Sequence, residues 1–339
     1  MTHITCKNNG NKRVAYLDLL RVLAIFAVIL QHFCPDYYNS NDFNEVAVNI
    51  MVSLTDWCVP VFVMISGALL LNLQKKFSVK RFFKKNVLRI FIALCFWSIV
   101  YGVYYNISHF GSDWRLTSLF IPIFVKRLPW YHLWFIYMIL ALYLLIPIIR
   151  IFLKNATQKQ IQYFILLTLV ASAIEYWNVF LPTMNFSLGE MSGYVGYLIL
   201  GYYLNRFECS NRSRKIVYIL AFFSAIWVVA LNWVNGVPPH TYPSYTSPFI
   251  MVISVAVFLL FKNNCQICSN GHIAGLSNLV FGIYLVHDLF IQLVSSIIPK
   301  EWCSATIVFV PIAAIVVFIC SAIASFVISR IPVVGKYIT

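Results

Sequence analysis

Long apolar stretches alternate with short polar ones along the whole chain. Ten apolar runs can be marked, at 16–34, 46–72, 88–107, 131–149, 161–181, 191–205, 216–235, 247–261, 279–298 and 305–328. A helix needs about 20 residues to cross a hydrocarbon core about 30 Å thick, and the runs are close to that length; the sixth and eighth are short. Most are bounded by Lys/Arg, Asn, Pro or Gly, residues that punctuate regular structure. Strands of a membrane barrel would instead show segments of about 10 residues alternating apolar and polar, and these runs do not alternate. The pattern predicts an all-α, polytopic integral membrane protein with about ten transmembrane helices. One transmembrane domain is expected over 1–339, with short cytoplasmic tails at about 1–15 and 329–339.

Composition agrees with that reading: of 339 residues, 61% are apolar and only 11% charged, where soluble domains carry roughly 25% charged residues. Too few charges exist to cover a water-facing surface of this size. The net charge of +14 then needs a cause. Once the runs are placed, 20 of the 25 basic residues fall in the segments of one side, four in those of the other, and Arg21 inside the first run. Lys and Arg gather on the cytoplasmic side of a membrane. Both termini are therefore expected in the cytoplasm, and topology accounts for the basic excess without a nucleic-acid partner. The first run contains Asp18 and Arg21 and is followed by no small-residue cleavage pattern, so it reads as a retained anchor rather than a removed signal.

The nine cysteines are scattered, mostly within the runs, where a thiol behaves as a small hydrophobe. Cys34 and Cys58 fall near the same face, but their spacing does not establish a disulfide. Cys265-x-x-Cys268 with His272 offers at most three ligands, one short of a closed zinc site, and no metal site is expected. No internal repeat is present. The longest outer loop, about 108–130, is placed to cover an outward-facing site.

Ionisable groups within a bilayer cost about 2.5–3.5 kcal/mol each on insertion scales and mark functional sites. The first run has three. Asp18 and Arg21 are three apart and can pair on one helix face. His32 lies eleven beyond Arg21, about three turns and ~16 Å along the axis, and returns to nearly the same face. The second run carries Asp56 and, within Pro60-Val-Phe-Val-Met-Ile-Ser-Gly67, Ser66. Tyr284, His287, Asp288 and Gln292 recur at three or four residues in the ninth. His132 opens the fourth run and Glu175 lies toward the outer end of the fifth. So many polar groups in the outer half point to an internal polar cavity.

Several of these segments carry a resemblance. Arg21-x10-His32 within Tyr16-Leu-Asp-Leu-Leu-Arg-Val-Leu-Ala-Ile-Phe-Ala-Val-Ile-Leu-Gln-His32 resembles the opening motif of the membrane acyltransferase-3 family. The Pro60–Gly67 stretch is similar to that family's span-two signature. Tyr131-His-Leu-Trp-Phe-Ile-Tyr137 with Leu142-Tyr-Leu-Leu-Ile-Pro147 is similar to the span-four signature of its polysaccharide O-acetyltransferases. Gly282-Ile-Tyr-Leu-Val-His287 matches a late motif. The matches keep the family's order from about residue 16 to 290 and look most like its short members, such as those modifying enterobacterial common antigen. One departure stands out. Members often carry two arginines three apart after span two, whereas here Asn86 takes the first position, Lys85 is the nearest cation and Arg89 remains.

The resemblance implies an O-acyltransferase of the cell inner membrane, most simply an O-acetyltransferase. Cytoplasmic acetyl-CoA or another acyl-CoA would be the donor substrate, with no bound cofactor, and a surface or lipid-linked glycan hydroxyl the acceptor. His32 is then expected as general base, or as the site of an acyl-histidine, since histidine exchanges protons near neutral pH. Arg21, held by Asp18, would orient the donor or stabilise developing charge. Arg89 and Lys85 would bind donor phosphates. Asp56, Ser66, His132, Glu175, Tyr284 and His287 are candidates for the substrate site. Cytoplasmic loop 74–89, with seven cations and no acid, suits that donor. A secondary transporter is the alternative, although transporters commonly show repeated halves and paired broken helices that this sequence lacks.

Overall fold

The computed structural model describes residues 14–34, 42–110, 130–180, 190–234, 245–265, 271–298, 306–332 and 334–339. The tail 1–13, most of the longest outer loop and Cys268 lie outside the described residues. Among those described, every apolar run falls on helix and no strand occurs. Seven helical units are long and apolar enough to cross a membrane: Ala15–Phe33, Val46–Leu70, Val79–Ser108, Tyr131–Asn155, Asn211–Leu231, Gly271–Ile297 and Thr306–Ser329. Pro248–Asn264 is apolar but shorter.

In chain order the helices are α1 (Ala15–Phe33), α2 (Asp42–Ser53), α3 (Cys58–Leu70), α4 (Val79–Phe82) and α5 (Leu88–Phe110). There follow α6 (Trp134–Asn155), α7 (Gln158–Phe180), α8 (Glu190–Arg206) and α9 (Asn211–Val234), then α10 (Pro248–Asn264), α11 (Gly271–Ile297), α12 (Thr306–Ser329) and α13 (Gly335–Ile338). Helix α1 lies at the centre, against α3, α10, α11 and α12. Its residues Leu20, Ala24, Ile25, Val28 and Ile29 are buried from neighbours on several sides. Helix α9 stands at the periphery. Its Ile219, Phe222, Phe223, Ile226 and Trp227 are all exposed, which suits a surface that faces lipid tails rather than water.

Three local features depart from straight spanning helices. The second run is broken at 54–57 into α2 and α3. Pro60 explains the break, because a proline ring within a helix collides with the carbonyl four residues before it, here that of Asp56. The third run begins nine residues earlier than the hydropathy suggests. Ser78 accepts from the Arg81 backbone N–H as the N-cap of α4, and a π-helical turn, Phe83–Val87, joins α4 to α5. Finally, the segment expected as a tail turns back, so that α13 packs on α5 and α12 and buries Gly335 and Ile338.

Close backbone approach fixes the middle of the bundle. A Cβ on Gly67 of α3 would meet the Leu198 carbonyl oxygen at 1.8 Å, and one on Gly201 of α8 would meet that of Met64 at 2.0 Å. The two glycines thus make reciprocal room for each other's helices, the small-residue solution to helix packing in lipid. Arg150, at the end of α6, donates to the carbonyls of Leu70, Asn72 and Lys75 at 2.7, 3.0 and 3.2 Å. It closes the C-terminus of α3, whose last carbonyls have no partner within the helix.

Candidate functional site

A cavity of about 910 Å³ opens at the end of the bundle that carries the basic segments. Its mouth is built by the α4–π–α5 junction and α13: Lys80, Arg81, Lys84, Lys85, Arg89 and Lys336 all line it. The π turn matters for this arrangement. It widens one turn of the helix carrying Lys84 and Lys85, and π turns occur frequently at functional sites. Of the seven cations in loop 74–89, Lys75 and Lys76 are not in the lining.

The cavity continues inward between α3, α6 and α11. Ser66, Tyr143, Ile139, Ile136 and Phe135 line its walls, and Tyr284 lies at its inner reach. Arg21 of α1 also lines it. Its Nη1 donates to Ser277 Oγ at 3.3 Å, and that hydroxyl donates to buried Asp18 at 2.7 Å. Ser277, on α11 and 256 residues from Arg21, thus links the two members of the expected Asp18–Arg21 pair. Ser277 is not marked by the sequence as a site residue. It falls on the stripe of Tyr284 and Asp288, seven positions before Tyr284, but carries no ionisable group to draw notice.

Beyond Tyr284 lies a cluster of rings. His32 of α1 and His287 of α11 meet at 2.8 Å, Nδ1 to Nε2. His132 sits beside them, its ring centroid 5.1 Å from that of His287 and 6.3 Å from that of His32. His132 is fully buried, and neither of its ring nitrogens has a hydrogen-bond partner among the described residues. The Tyr284 hydroxyl donates to the His132 main-chain carbonyl. Tyr101 packs edge-on to His132 at 5.0 Å and donates to the Leu285 carbonyl. Asp288, fully buried, accepts from the Trp130 indole N–H and the Tyr131 hydroxyl. Tyr284, His287 and Asp288 thus occupy one stretch of α11 and tie the start of α6 to it.

Two of the other candidates, Asp56 and Glu175, fall elsewhere. Asp56 accepts from the Gln31 amide at 2.5 Å, so the neighbour of His32 in sequence, not His32, holds it. Gln31 also accepts from the Cys58 thiol and the Tyr245 hydroxyl. Cys34 and Cys58 are both free thiols. Glu175 lies on α7, which packs on α8 and α10, and is not among the residues lining the cavity. Arg89 lines the cavity while its Nη2 donates to the Thr339 main-chain oxygen, and its guanidinium lies 5.3 Å from the Phe281 ring centre. It anchors α13 as well as facing the cavity. Among the described residues, no group of three or more His, Cys, Asp or Glu could hold a metal ion.

A cationic mouth, a channel walled mainly by aliphatic and aromatic side chains, and paired imidazoles beyond its inner end can bind a polyanionic group at one end and move a proton at the other. A family described as an acyltransferase domain matches residues 14–326, taking in the histidine cluster and all of the cavity except its α13 residues. No curated protein and no solved structure matches. The match covers most of the chain, and on that ground the protein belongs to the acyltransferase-3 family of multi-pass membrane acyltransferases.

Proposed function

We propose that the protein is an O-acyltransferase that moves an acyl group, most simply acetyl, from cytoplasmic acyl-CoA to a hydroxyl of a surface or lipid-linked glycan. The observation that carries this reading is the cavity, which runs from six cations at its mouth to Tyr284, one helical turn from His287 and its partner His32. Its volume lies within the roughly 300–1,000 Å³ of small-molecule sites. In this reading the basic end of the bundle faces the cytoplasm of a cell inner membrane, and the phosphates of the donor bind at Lys80, Arg81, Lys84, Lys85, Arg89 and Lys336. The pantetheine arm follows the channel past Ser66 and Tyr143. Arg21, held by Ser277 and Asp18, orients the thioester.

The chemistry then needs one base. His32 Nε2 takes the proton of the acceptor hydroxyl as its oxygen attacks the thioester carbonyl carbon. The C–S bond breaks, the acyl–oxygen bond remains, and the imidazolium returns its proton to the departing thiolate. An acyl-histidine intermediate would use the same nitrogen as nucleophile, and burst kinetics would reveal it.

The test is to incubate purified protein in nanodiscs with acetyl-CoA and extracted envelope glycolipid. Free CoA released together with a 42 Da gain on the glycan (the mass of an acetyl group replacing a hydrogen) is expected. Movement of an unmodified solute with no CoA release would favour a transporter and overturn this reading.

A further inference from the structure

His287 is within hydrogen-bond distance of two acceptor-capable atoms, and their chemistry fixes where the protons lie. Its Nδ1 is 2.6 Å from the main-chain oxygen of Tyr284. A carbonyl oxygen only accepts, so Nδ1 of His287 bears a hydrogen. In the neutral ring, Nε2 then holds a lone pair. That Nε2 is 2.8 Å from Nδ1 of His32. The two ring planes differ by 18° and their centroids are 5.1 Å apart, so with such a short N···N separation the rings meet edge to edge. The bond therefore lies near both ring planes, where an imidazole lone pair points. His32 must donate from Nδ1, and a neutral His32 carries its own lone pair on Nε2.

We infer that His287 is a positioning residue that fixes His32 in the tautomer with a basic Nε2, using the Tyr284 carbonyl of α11 as the fixed end of the chain. A histidine lacking such an acceptor prefers its proton on Nε2, where it would be useless as a base through that atom. The relation is that of a base oriented by a third group, with a neutral imidazole in the orienting place. His287 exchanges no proton with substrate in this scheme. When His32 becomes doubly protonated, Nδ1–H still donates to the His287 lone pair, and only the Nε2 proton moves on. The lock also explains why a fully buried histidine is placed here: the carbonyl bond alone would satisfy one nitrogen and leave the other unused.

This role rests on the acyltransferase reading, but its test does not depend on turnover. Full-length protein labelled with 15N-histidine and held in nanodiscs reports ring protonation directly, with the His32 signals assigned by their loss in His32→Asn. The expected pattern is Nδ1 protonated and Nε2 bare. His287→Ala should shift the proton to Nε2 and lower kcat about 10–100-fold, with the donor KM changed less than twofold. His287→Gln, whose amide oxygen reaches the position of Nε2, should restore the Nδ1–H pattern and most of the rate. A wild-type His32 protonated on Nε2 alone, a doubly protonated His287, or unchanged signals in His287→Ala would each overturn the tautomer lock. The Nδ1–H pattern in a protein that transfers no acyl group would overturn the acyltransferase reading alone.

Discussion

At the scale of single residues, His32 and Arg89 are contrasting cases. His32 sits in a polar cluster within an otherwise apolar bundle, where it meets His287 and lies edge-on to Tyr131. Replacing it with Ala removes the proposed base and little packing area. Acylation is expected to fall about 10²–10⁴-fold, while expression and membrane insertion, read by detergent-solubilised monodispersity, stay as in the wild type. Arg89 does two jobs: it lines the cavity and it holds the Thr339 carbonyl. Arg89→Ala should therefore raise the donor KM and also lower the Tm. Lys85 is exposed and has only the first of these features, so Lys85→Ala should raise the KM without moving the Tm. A Tm unchanged in both variants would show that the α13 anchor carries no stability. Of the residues in these two cases, His32 was legible in the sequence as an ionisable group where apolar ones belong, and Arg89 through its place among the seven cations of 74–89 and the resemblance of that stretch. The bond from Arg89 to Thr339 was not legible, because a main-chain oxygen 250 positions away leaves no mark in composition or spacing.

At the scale of elements, the crossing of α3 and α8 decides where Ser66 and the walls of the cavity stand. Gly67 follows Ser66 directly, and its missing side chain admits the Leu198 carbonyl. Gly67→Val would force the helices apart and should cost about 1–3 kcal/mol or more, seen as a lower Tm and loss of activity even though no catalytic group changes. Arg150→Ala strips three carbonyl acceptors of their donor at the end of α3, and charged hydrogen bonds of this kind are each worth about 1.5–3 kcal/mol. A drop in Tm is expected, with the 71–78 segment opening first to protease. Counted by charge alone, Arg150 belongs with the topology signals; the fold gives it a capping role. Helix starts ahead of the third apolar run for a related reason. Hydropathy reads Lys80 to Lys85 as loop, but a helix can carry cations on a solvated face, and Ser78 supplies the cap that starts it.

At the scale of the whole molecule, the separation of charge from chemistry is the organising feature. Six cations crowd the mouth of one cavity, at the end of the bundle where the basic segments gather. Their attraction for a polyanion falls with ionic strength, since the Debye length shrinks from about 10 Å at 0.1 M to about 3 Å at 1 M salt. Raising NaCl over that range should raise the donor KM severalfold, with kcat nearly constant because the histidine cluster lies beyond the buried Tyr284. A kcat that falls in parallel would place the salt-sensitive groups at the chemical step instead.

The class of molecule, its helical runs, the side on which positive charge gathers, and the stripes of α1 and α11 on which the polar groups lie can all be read along the chain. Each of these is a local demand. A bilayer requires every segment to satisfy its own backbone and to keep its charges off lipid, and both demands can be read from a window of about 20 residues. It is the packing of the bundle that turns the stripes to face each other, so that His32 meets His287 across 255 positions and Ser277 joins Arg21 to Asp18. It also decided that Glu175 stays apart from the cavity, that Asp56 pairs with Gln31, and that α13 closes the cationic mouth. Those outcomes depend on which helix faces fit each other, down to the glycines of α3 and α8. That fit belongs to pairs of surfaces distant in sequence, and no single segment carries it.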